Sequence, residues 1–219
     1  MLKNTTKAKL AEGQAVFGCF VRYAEPSLAE YVAMLGWDFL VFDGEHGALQ
    51  PADMGDLCRA AELRGVTPLA RVTTNQPDTI LRFLDPGTHG VHVPWVNSPQ
   101  AAEQAVQSVK YVPRGIRGLA GTRASDWGLA EPLGAYVERA NLETMVVIQI
   151  ETREAVDAIE EYVDIDGIDV ASSARPICPS RLATRETSAT PRWSRRWTGS
   201  PTSWSSPTRS SASMPVRAI

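Results

Sequence analysis

The sequence has 219 residues, of which 43% are hydrophobic and 21% charged, a composition typical of a globular domain. No apolar run approaches the roughly 18 residues that a membrane-spanning helix needs, and the N-terminal segment lacks the apolar core of a secretory signal. The cysteines Cys19, Cys58 and Cys178 form no CxxC pair and are odd in number, which favours a reduced, cytoplasmic setting.

Charge divides the chain into two parts. Residues 1–170 carry 14 Lys and Arg against 24 Asp and Glu, whereas residues 171–219 carry 8 Arg, no Lys and one acid, together with 12 Ser and 6 Pro. The second part shows neither helical nor strand periodicity. We therefore predict one domain over 1–170 and an irregular tail over 171–219.

The first part alternates short apolar runs with amphipathic stretches. The apolar runs predict strands at 15–21, 39–45, 67–72, 90–96 and 144–151, and the start of a sixth at 167–170. Amphipathic periodicity, with Pro or a capping Ser or Thr at the start, predicts helices at 26–36, 51–65, 76–87, 98–112 and 152–163. Apolar strands that alternate with helices are typical of a parallel sheet covered on both faces.

Polar residues interrupt the apolar strands at their carboxyl ends. They are Asp43, Glu45, His46, Arg71, Gln149 and Glu151. In a (β/α)8 barrel the functional groups of many strands converge at this face, whereas a doubly wound sheet binds ligands at one switch point, usually beside a glycine-rich turn. The sequence contains neither GxGxxG nor GxxxxGK[ST], so nucleotide binding has no support. We predict an α/β fold, a TIM barrel that is incomplete, with about six of the eight strands recognisable.

The residues after the second and third strands suggest chemistry by their type. Asp43 can orient the imidazole of His46, which can then exchange a proton near neutral pH, although an acidic turn with a surface histidine would give the same pattern. Arg71 can hold a carboxylate in two parallel hydrogen bonds, or form a structural ion pair with a strand-end acid.

Gln149 and Glu151 are two residues apart, so their side chains point to the same side of the strand. A buried carboxylate at the end of an apolar strand is costly unless it is paired or bound to a cation, and a hard divalent cation with oxygen ligands would offset that cost. The alternative is a carboxylate stabilised by the dipole of the following helix. For His92, which alternates with two valines, we expect a hydrogen-bonded core or interface histidine.

Five segments together resemble the HpcH/HpaI family of class II pyruvate aldolases. They are GWDFLVFDGEHG (36–47), PLARV (68–72), LDPGTHGVHVPWV (84–96), YVPRGIRG (111–118) and VVIQIETREAV (146–156). The resemblance implies reversible metal-dependent cleavage of a 4-hydroxy-2-oxo acid to pyruvate and an aldehyde, in the catabolism of aromatic compounds or sugar acids. It also implies a homo-oligomer with a small-molecule substrate and no nucleic-acid or membrane partner.

The same resemblance implies a role for each strand-end residue. Glu151 would be one ligand of a divalent metal (Mg, Mn or Co), which would act as a Lewis acid on the 2-oxo acid. Arg71 would hold the pyruvate moiety and stabilise the enolate charge. His46, oriented by Asp43, would serve as acid and base, and Gln149 would position the substrate or a metal-bound water.

The sequence departs from the family where a second metal carboxylate is expected, at the end of the sixth strand. The family motif there is close to GPADLS, whereas this chain has SSARPICPS at 172–180. One legal codon spelling of residues 173–179 gives Gly-Pro-Ala-Asp-Leu-Ser when it is read from its third base. We hypothesise that 171–219 is an out-of-frame translation and that the chain as written lacks one ligand and is impaired. A genuine disordered, basic extension is the alternative.

Two other functions remain open. An acyl-CoA or organic-acid lyase on a related barrel would reuse the metal carboxylate and the arginine. A non-catalytic barrel remnant would bind nucleic acid through its Arg-rich tail, with Trp193, Trp197 and Trp204 stacking on bases, but this tail has no periodic scaffold to present them.

Overall fold

The computed structural model describes residues 3–173 and the backbone of residues 217–218. The strands are β1 (Gly18–Val21), β2 (Phe39–Asp43), β3 (Thr67–Arg71), β4 (Gly90–Val93), β5 (Met145–Ile150), β6 (Val170–Ser173) and β7 (Arg217–Ala218). The α-helices are α1 (Thr5–Ala11), α2 (Pro26–Ala33), α3 (Met54–Glu62), α4 (Pro77–Leu84), α5 (Pro99–Val109), α6 (Leu133–Glu143), α7 (Arg153–Asp157) and α8 (Ile159–Val163), with short 3-10 helices at Pro51–Asp53 and Arg123–Gly128.

The strands lie side by side in chain order, and every neighbouring pair is parallel. Helices connect successive strands from β1 to β6, as in the βα units of a (β/α)8 barrel. Strands β1 to β6 form a curved half-barrel, and β7 adds two residues that pair with Val170 and Ala171 of β6. The predicted fold class, an incomplete TIM barrel with about six strands, is therefore confirmed.

Local sequence signals explain where the outer helices begin. Pro26, Pro77 and Pro99 occupy the first turn of α2, α4 and α5, where a missing N–H costs nothing. The Ser98 and Thr152 hydroxyls accept hydrogen bonds from the backbone N–H groups three residues later, so both predicted caps are present. These capping residues and prolines determine where the helices begin after the carboxyl ends of the strands.

Three parts of the chain differ from the predicted elements. The predicted helix 152–163 is two short helices that meet at Ala158, whose backbone departs from α-helical geometry. Helices α1 and α6 were not predicted. Strand β6 continues to Ser173, three residues beyond the predicted domain boundary at 170. Residues 174–216, which make up nearly all of the predicted tail, lie outside the described residues.

Alternation along the strands produces two apolar layers. Leu40, Ala70 and Ile148 belong to the large cluster between the sheet and the helices, whereas Val41 and Val147 belong to a smaller cluster inside the half-barrel. This inner cluster includes a residue of α1, so the first helix packs against the inner face of the sheet.

Helix α1 closes the amino end of the half-barrel. The Asn4 side-chain amide donates to the carbonyl oxygen of His89 at 3.2 Å, and the Thr6 hydroxyl donates to the carbonyl oxygen of Asp38 at 3.0 Å. Both acceptors lie just before strands begin. The opposite end, where the strands finish, therefore remains available for a site. Among the described helices, none is long and apolar enough to cross a membrane.

Candidate active site at the carboxyl ends of the strands

A buried ion pair joins the last residues of β2 and β3. Asp43 and Arg71 are register partners in the sheet, and the Arg71 guanidinium donates from Nε to Asp43 Oδ1 at 2.8 Å and from Nη2 to Oδ2 at 2.6 Å. Asp43 has no exposed surface, and Arg71 is almost as deeply buried. The side chain of Arg71 also lies over the ring of Phe20, 4.8 Å from its centroid. Arg71 is therefore held in one orientation from two sides.

The Asp43 carboxylate accepts three further hydrogen bonds. Arg22 Nε donates to Oδ2 at 3.1 Å, and the backbone N–H groups of Glu45 and His46 donate to Oδ1 at 3.2 and 3.1 Å. Burial by itself raises the pKa of Asp43, but the hydrogen bonds from Arg71 and the two backbone N–H groups outweigh it and lower this pKa to about 2. Asp43 is therefore a permanent anion at neutral pH.

Asp43 contacts His46 through the backbone of His46, whereas the sequence led us to expect a contact with its imidazole. The turn after β2 folds back so that the N–H groups of the turn point at the carboxylate, a common arrangement for Asp. The His46 side chain is 63% exposed, and its Nε2 lies 3.9 Å from Oε2 of Glu45. In this structure, Glu45 and not Asp43 is the acid that faces the imidazole.

Glu45 is a partly buried acid to which the sequence analysis gave no role. Its Oε2 lies 3.4 Å from Arg71 Nη1 and has no hydrogen-bond partner among the described residues. Burial raises the pKa of Glu45, and the charges of Glu151 and Asp43 raise it further against the opposing effect of Arg71 and His46. A carboxyl group in this setting readily accepts a proton or a cation. In the sequence, the position of Glu45 two residues after Asp43 could have indicated that it belongs to the site.

The fifth strand brings Gln149 and Glu151 to the same end of the half-barrel. Gln149 is buried opposite Ser172 of β6, and Glu151 follows directly after the strand. Oε1 of Glu151 accepts a 2.8 Å hydrogen bond from the backbone N–H of Trp95. The charge of Glu151 contributes to raising the pKa of Glu45.

A cavity of about 640 Å³ lies on the inner face of the sheet beside these residues. Its lining includes Phe20, Arg22, Arg71, His92, Gln149 and Ser172. Within this lining, Arg71 and Gln149 are the two residues that the sequence analysis placed in the site.

His92 contributes an unused polar group to this cavity. The residue is buried, and its Nε2 has no hydrogen-bond partner in the described part of the chain, contrary to the hydrogen-bonded core histidine that we expected. Burial and the charge of Arg71 lower the pKa of His92 to about 4 against the opposing effect of Asp43. The imidazole is therefore neutral at physiological pH.

The donors at this face match the chemistry of a hard divalent cation. Oxygen ligands are available from Glu151, from the unpartnered oxygen of Glu45 and from the amide of Gln149. Within residues 3–173, however, no group of three or more His, Cys, Asp or Glu side chains is arranged to hold a metal ion. The segment where a second carboxylate was expected, residues 172–180, lies outside the described residues from position 174 onward.

A parallel βα half-barrel with a buried arginine–carboxylate pair and oxygen donors at the carboxyl ends of its strands has the architecture of barrel enzymes that act on small anionic substrates. Residues 16–174 match the family described as HpcH/HpaI aldolase/citrate lyase, and the chain belongs to this family. The family predicted from the sequence is thus confirmed.

Named relatives and a solved structure agree with this assignment. The chain is 39% identical over 168 residues to the hydroxypyruvate/pyruvate aldolase of Sagittula stellata, covering 76% of this chain and 65% of that protein. It is 40% identical over 172 residues to the 4-hydroxy-2-oxovalerate aldolase of Novosphingobium aromaticivorans, covering 76% and 63%. An HpcH/HpaI aldolase/citrate lyase family protein from Burkholderia cenocepacia J2315 superposes with a TM-score of 0.76 at 27% identity, covering 82% of this chain and 72% of that one. The chain thus spans less than two thirds of the length of these curated relatives.

Proposed function

We propose that the protein catalyses the reversible cleavage of a 4-hydroxy-2-oxo acid to pyruvate and an aldehyde, with the help of a divalent metal ion. The observation that carries the proposal is the buried guanidinium of Arg71, which Asp43 holds through two hydrogen bonds. Arg71 and Gln149 line the same cavity, and Glu151 follows the strand that contains Gln149. The relatives named above are aldolases of 2-oxo acids.

The reaction needs an enolate to be stabilised and two protons to be moved. The C4 hydroxyl of the substrate loses its proton, the C3–C4 bond breaks, and its electron pair passes to the C2 carbonyl as the enolate of pyruvate. Arg71 offers a fixed positive charge to that developing oxyanion and cannot itself lose a proton. Because Asp43 holds Arg71 through Nε and Nη2, the arginine does not reorganise during the step.

His46 is the group proposed to exchange the protons. Its imidazole is exposed beside the site and faces Glu45. It would accept the C4 hydroxyl proton directly or through a water and return a proton to C3 of the enolate. Gln149, which is buried in the cavity wall, would orient the 2-oxo acid by hydrogen bonding.

The proposed metal ion would be Mg²⁺, Mn²⁺ or Co²⁺, all of which accept carboxylate and water ligands. When bound, it supplies Lewis-acid polarisation of the 2-oxo acid. Glu151 would hold it, with one oxygen already fixed by the N–H of Trp95. We propose that residues 171–219 are an out-of-frame translation, and that the second carboxylate ligand is encoded in the alternative frame.

The nucleotide sequence that encodes residues 165–195 tests this reading-frame proposal. A single inserted or deleted base that restores Gly-Pro-Ala-Asp-Leu-Ser would supply the second ligand. If fresh template confirms the frame as written, other groups must complete the coordination of the metal. We then expect the 219-residue chain to be nearly inactive.

Glu151→Gln tests the metal site without relying on activity. In the unaltered protein, added Mn²⁺ should raise the melting temperature, and this rise should disappear in Glu151→Gln because the amide is a weaker ligand. Glu103→Gln, on the exposed side of α5, is the matched control and should keep the rise. An unchanged Mn²⁺ response in Glu151→Gln would refute the assigned ligand.

Release of pyruvate from a 4-hydroxy-2-oxo acid, measured with and without a CoA thioester, tests the reaction class. From the protein with its reading frame restored, we expect metal-dependent release that needs no thioester, whereas the 219-residue chain should release little pyruvate. A requirement for CoA would favour the alternative acyl-CoA lyase.

We also propose that the protein forms a homo-oligomer in the cytoplasm and binds neither nucleic acid nor membranes. The segment between α5 and α6 exposes several large apolar side chains, namely Ile116, Leu119, Trp127 and Leu129. Clustered exposed apolar residues favour association with another protein surface. Light scattering coupled to size-exclusion chromatography tests this, and a monomer at all concentrations would refute it.

A further inference from the structure

His92 is a buried polar side chain in the cavity wall, and the proposed mechanism does not use it. It is the register partner of Arg71 on the neighbouring strand, so both side chains point to the inner face of the half-barrel. The ring of Phe20 contacts both of them. Its centroid lies 5.9 Å from the centroid of the imidazole and 4.8 Å from the guanidinium carbon of Arg71. His92 therefore lies beside the group that we propose to hold the 2-oxo acid.

The imidazole of His92 lacks a partner that the fold would be expected to supply. Its Nε2 has no hydrogen-bond partner among residues 3–173. Burial and the charge of Arg71 hold the pKa of His92 at about 4, so the ring is neutral at pH 7 and carries one N–H donor and one acceptor nitrogen. Most buried polar groups in native proteins are paired, because an unpaired one lowers stability. The unpaired nitrogen of His92 thus indicates a partner from outside the chain, either a water molecule or a ligand.

The surroundings of His92 favour a ligand. The cavity volume of about 640 Å³ lies within the range of small-molecule sites, which is roughly 300–1,000 Å³. Arg71, Gln149 and His92 place polar groups in its wall. Phe20 and Leu28 contribute apolar surface to the same wall. An apolar wall with a few polar groups is typical of a site for a small organic ligand.

We propose that the imidazole of His92 is a further substrate-binding group, which donates a hydrogen bond to an anionic oxygen of the 2-oxo acid that Arg71 holds. This assignment rests on the proposed function, which places the 2-oxo acid at Arg71. Because that ligand is an anion, the N–H of His92 is the group that contacts it, and the other ring nitrogen needs no proton. The complex then supplies the partner that His92 lacks in the free protein, and the free protein is less stable for the sake of binding.

Leucine at position 92 should change affinity and stability in opposite directions. His92→Leu removes the N–H donor, so the affinity for pyruvate should fall about tenfold. The same variant should be more stable than the unaltered protein, because it removes an unpaired buried nitrogen. A loss of affinity in a more stable protein cannot result from unfolding. His92→Asn, which keeps an N–H donor, should recover part of the lost affinity.

The nitrogen resonances of the histidine rings give a direct readout of the contact. Pyruvate is titrated in the presence of Mg²⁺ into ¹⁵N-histidine-labelled protein, both as the 219-residue chain and with its reading frame restored. The ring signals of His92 should shift as pyruvate binds. His89 is the internal control, because it is also buried but lies outside the cavity lining, with its Nε2 3.0 Å from Glu62. The signals of His89 should not move.

The possible results separate the role of His92 from the proposed function. If pyruvate binds without shifting the His92 signals, or binds equally well to His92→Leu, the assignment of His92 is overturned and the proposed function stands. If pyruvate binds neither to the 219-residue chain nor to the protein with its frame restored, both are overturned.

Discussion

The backbone N–H of Trp95 donates a 2.8 Å hydrogen bond to Oε1 of Glu151, and Trp95 reaches this position with φ at 56°. A left-handed backbone is costly for a residue with a side chain, by roughly 1–2 kcal/mol. Trp95 is also 52% exposed, so burial of its ring does not fully offset the cost. The strained conformation of Trp95 allows its backbone N–H to orient one oxygen of Glu151, the proposed metal ligand.

Glycine and alanine at position 95 should separate the backbone strain from the loss of the indole. Both variants remove the ring and keep the N–H, but only glycine adopts a positive φ without strain. We expect Trp95→Gly to be more stable than Trp95→Ala by about 0.5–1 kcal/mol in urea unfolding, with equal Mn²⁺ binding. The control pair is Leu129→Gly and Leu129→Ala at an exposed position with φ at −95°, where alanine should be the more stable. Equal stability of the two variants at position 95 would contradict this account.

The ion pair between Asp43 and Arg71 should be strongly coupled. Arg71→Gln alone leaves a buried carboxylate with only part of its hydrogen bonds, and a loss of about 3–5 kcal/mol is expected. Adding Asp43→Asn should restore part of the stability, which gives a coupling free energy of about 2 kcal/mol in a double-mutant cycle. The exposed pair Arg59–Asp56 is the control, with an expected coupling below about 0.5 kcal/mol. Similar values for both pairs would refute a special role for the buried pair.

This coupling should depend on pH in a defined direction. The pKa of Asp43 is lowered from 3.8 to about 2 in the folded protein, so the unfolded chain takes up a proton first as the pH falls. The stability that Asp43 contributes is therefore complete above pH 4 and is lost between about pH 4 and pH 2. The coupling measured in the double-mutant cycle should shrink over the same interval.

The fold could be predicted from the sequence because each strand and each outer helix carries a local signal. Apolar runs marked the strands, and Pro26, Ser98 and Thr152 marked helix starts that the structure confirms. Helix α1 has no such signal beyond the Asn4 cap, since its apolar surface consists of little more than Leu10. Its position depends on contacts with strand ends far along the chain, which local patterns do not reveal.

The candidate site could be predicted only as a set of residues at one end of the strands. Parallel strands bring their carboxyl ends together, which is why Asp43, Arg71 and Gln149 were expected on the same face. The turn geometry that points two backbone N–H groups at Asp43 was not visible in the sequence, which left open a contact between Asp43 and the imidazole of His46. Arg22 was also missed, because it lies outside the segments that resemble the family.

His92 offers the last prediction, because it is both unpartnered and neutral. Replacing it with leucine removes a buried nitrogen that lacks a hydrogen bond, so His92→Leu should be more stable than the unaltered protein by about 1 kcal/mol at pH 7.5. The pKa of His92 falls from 6.5 to about 4 on folding, so between these values the unfolded chain binds a proton that the folded chain does not. The unaltered protein therefore loses stability as the pH falls through this window, whereas the variant does not lose that contribution.

Urea unfolding at pH 7.5 and pH 5 measures this difference. The difference in the free energy of unfolding between His92→Leu and the unaltered protein should widen by about 2 kcal/mol at the lower pH. Between the folded and unfolded pKa values of His92, each pH unit changes the stability of the unaltered protein by about 1.4 kcal/mol. His92→Met should show the same widening, which controls for the shape of the new side chain. Acidic groups are common to all three proteins, so their protonation cancels in the comparison. A gap that does not change with pH would mean that the folded protein holds His92 protonated or hydrogen-bonded, and the cavity would then lack the neutral polar group described above.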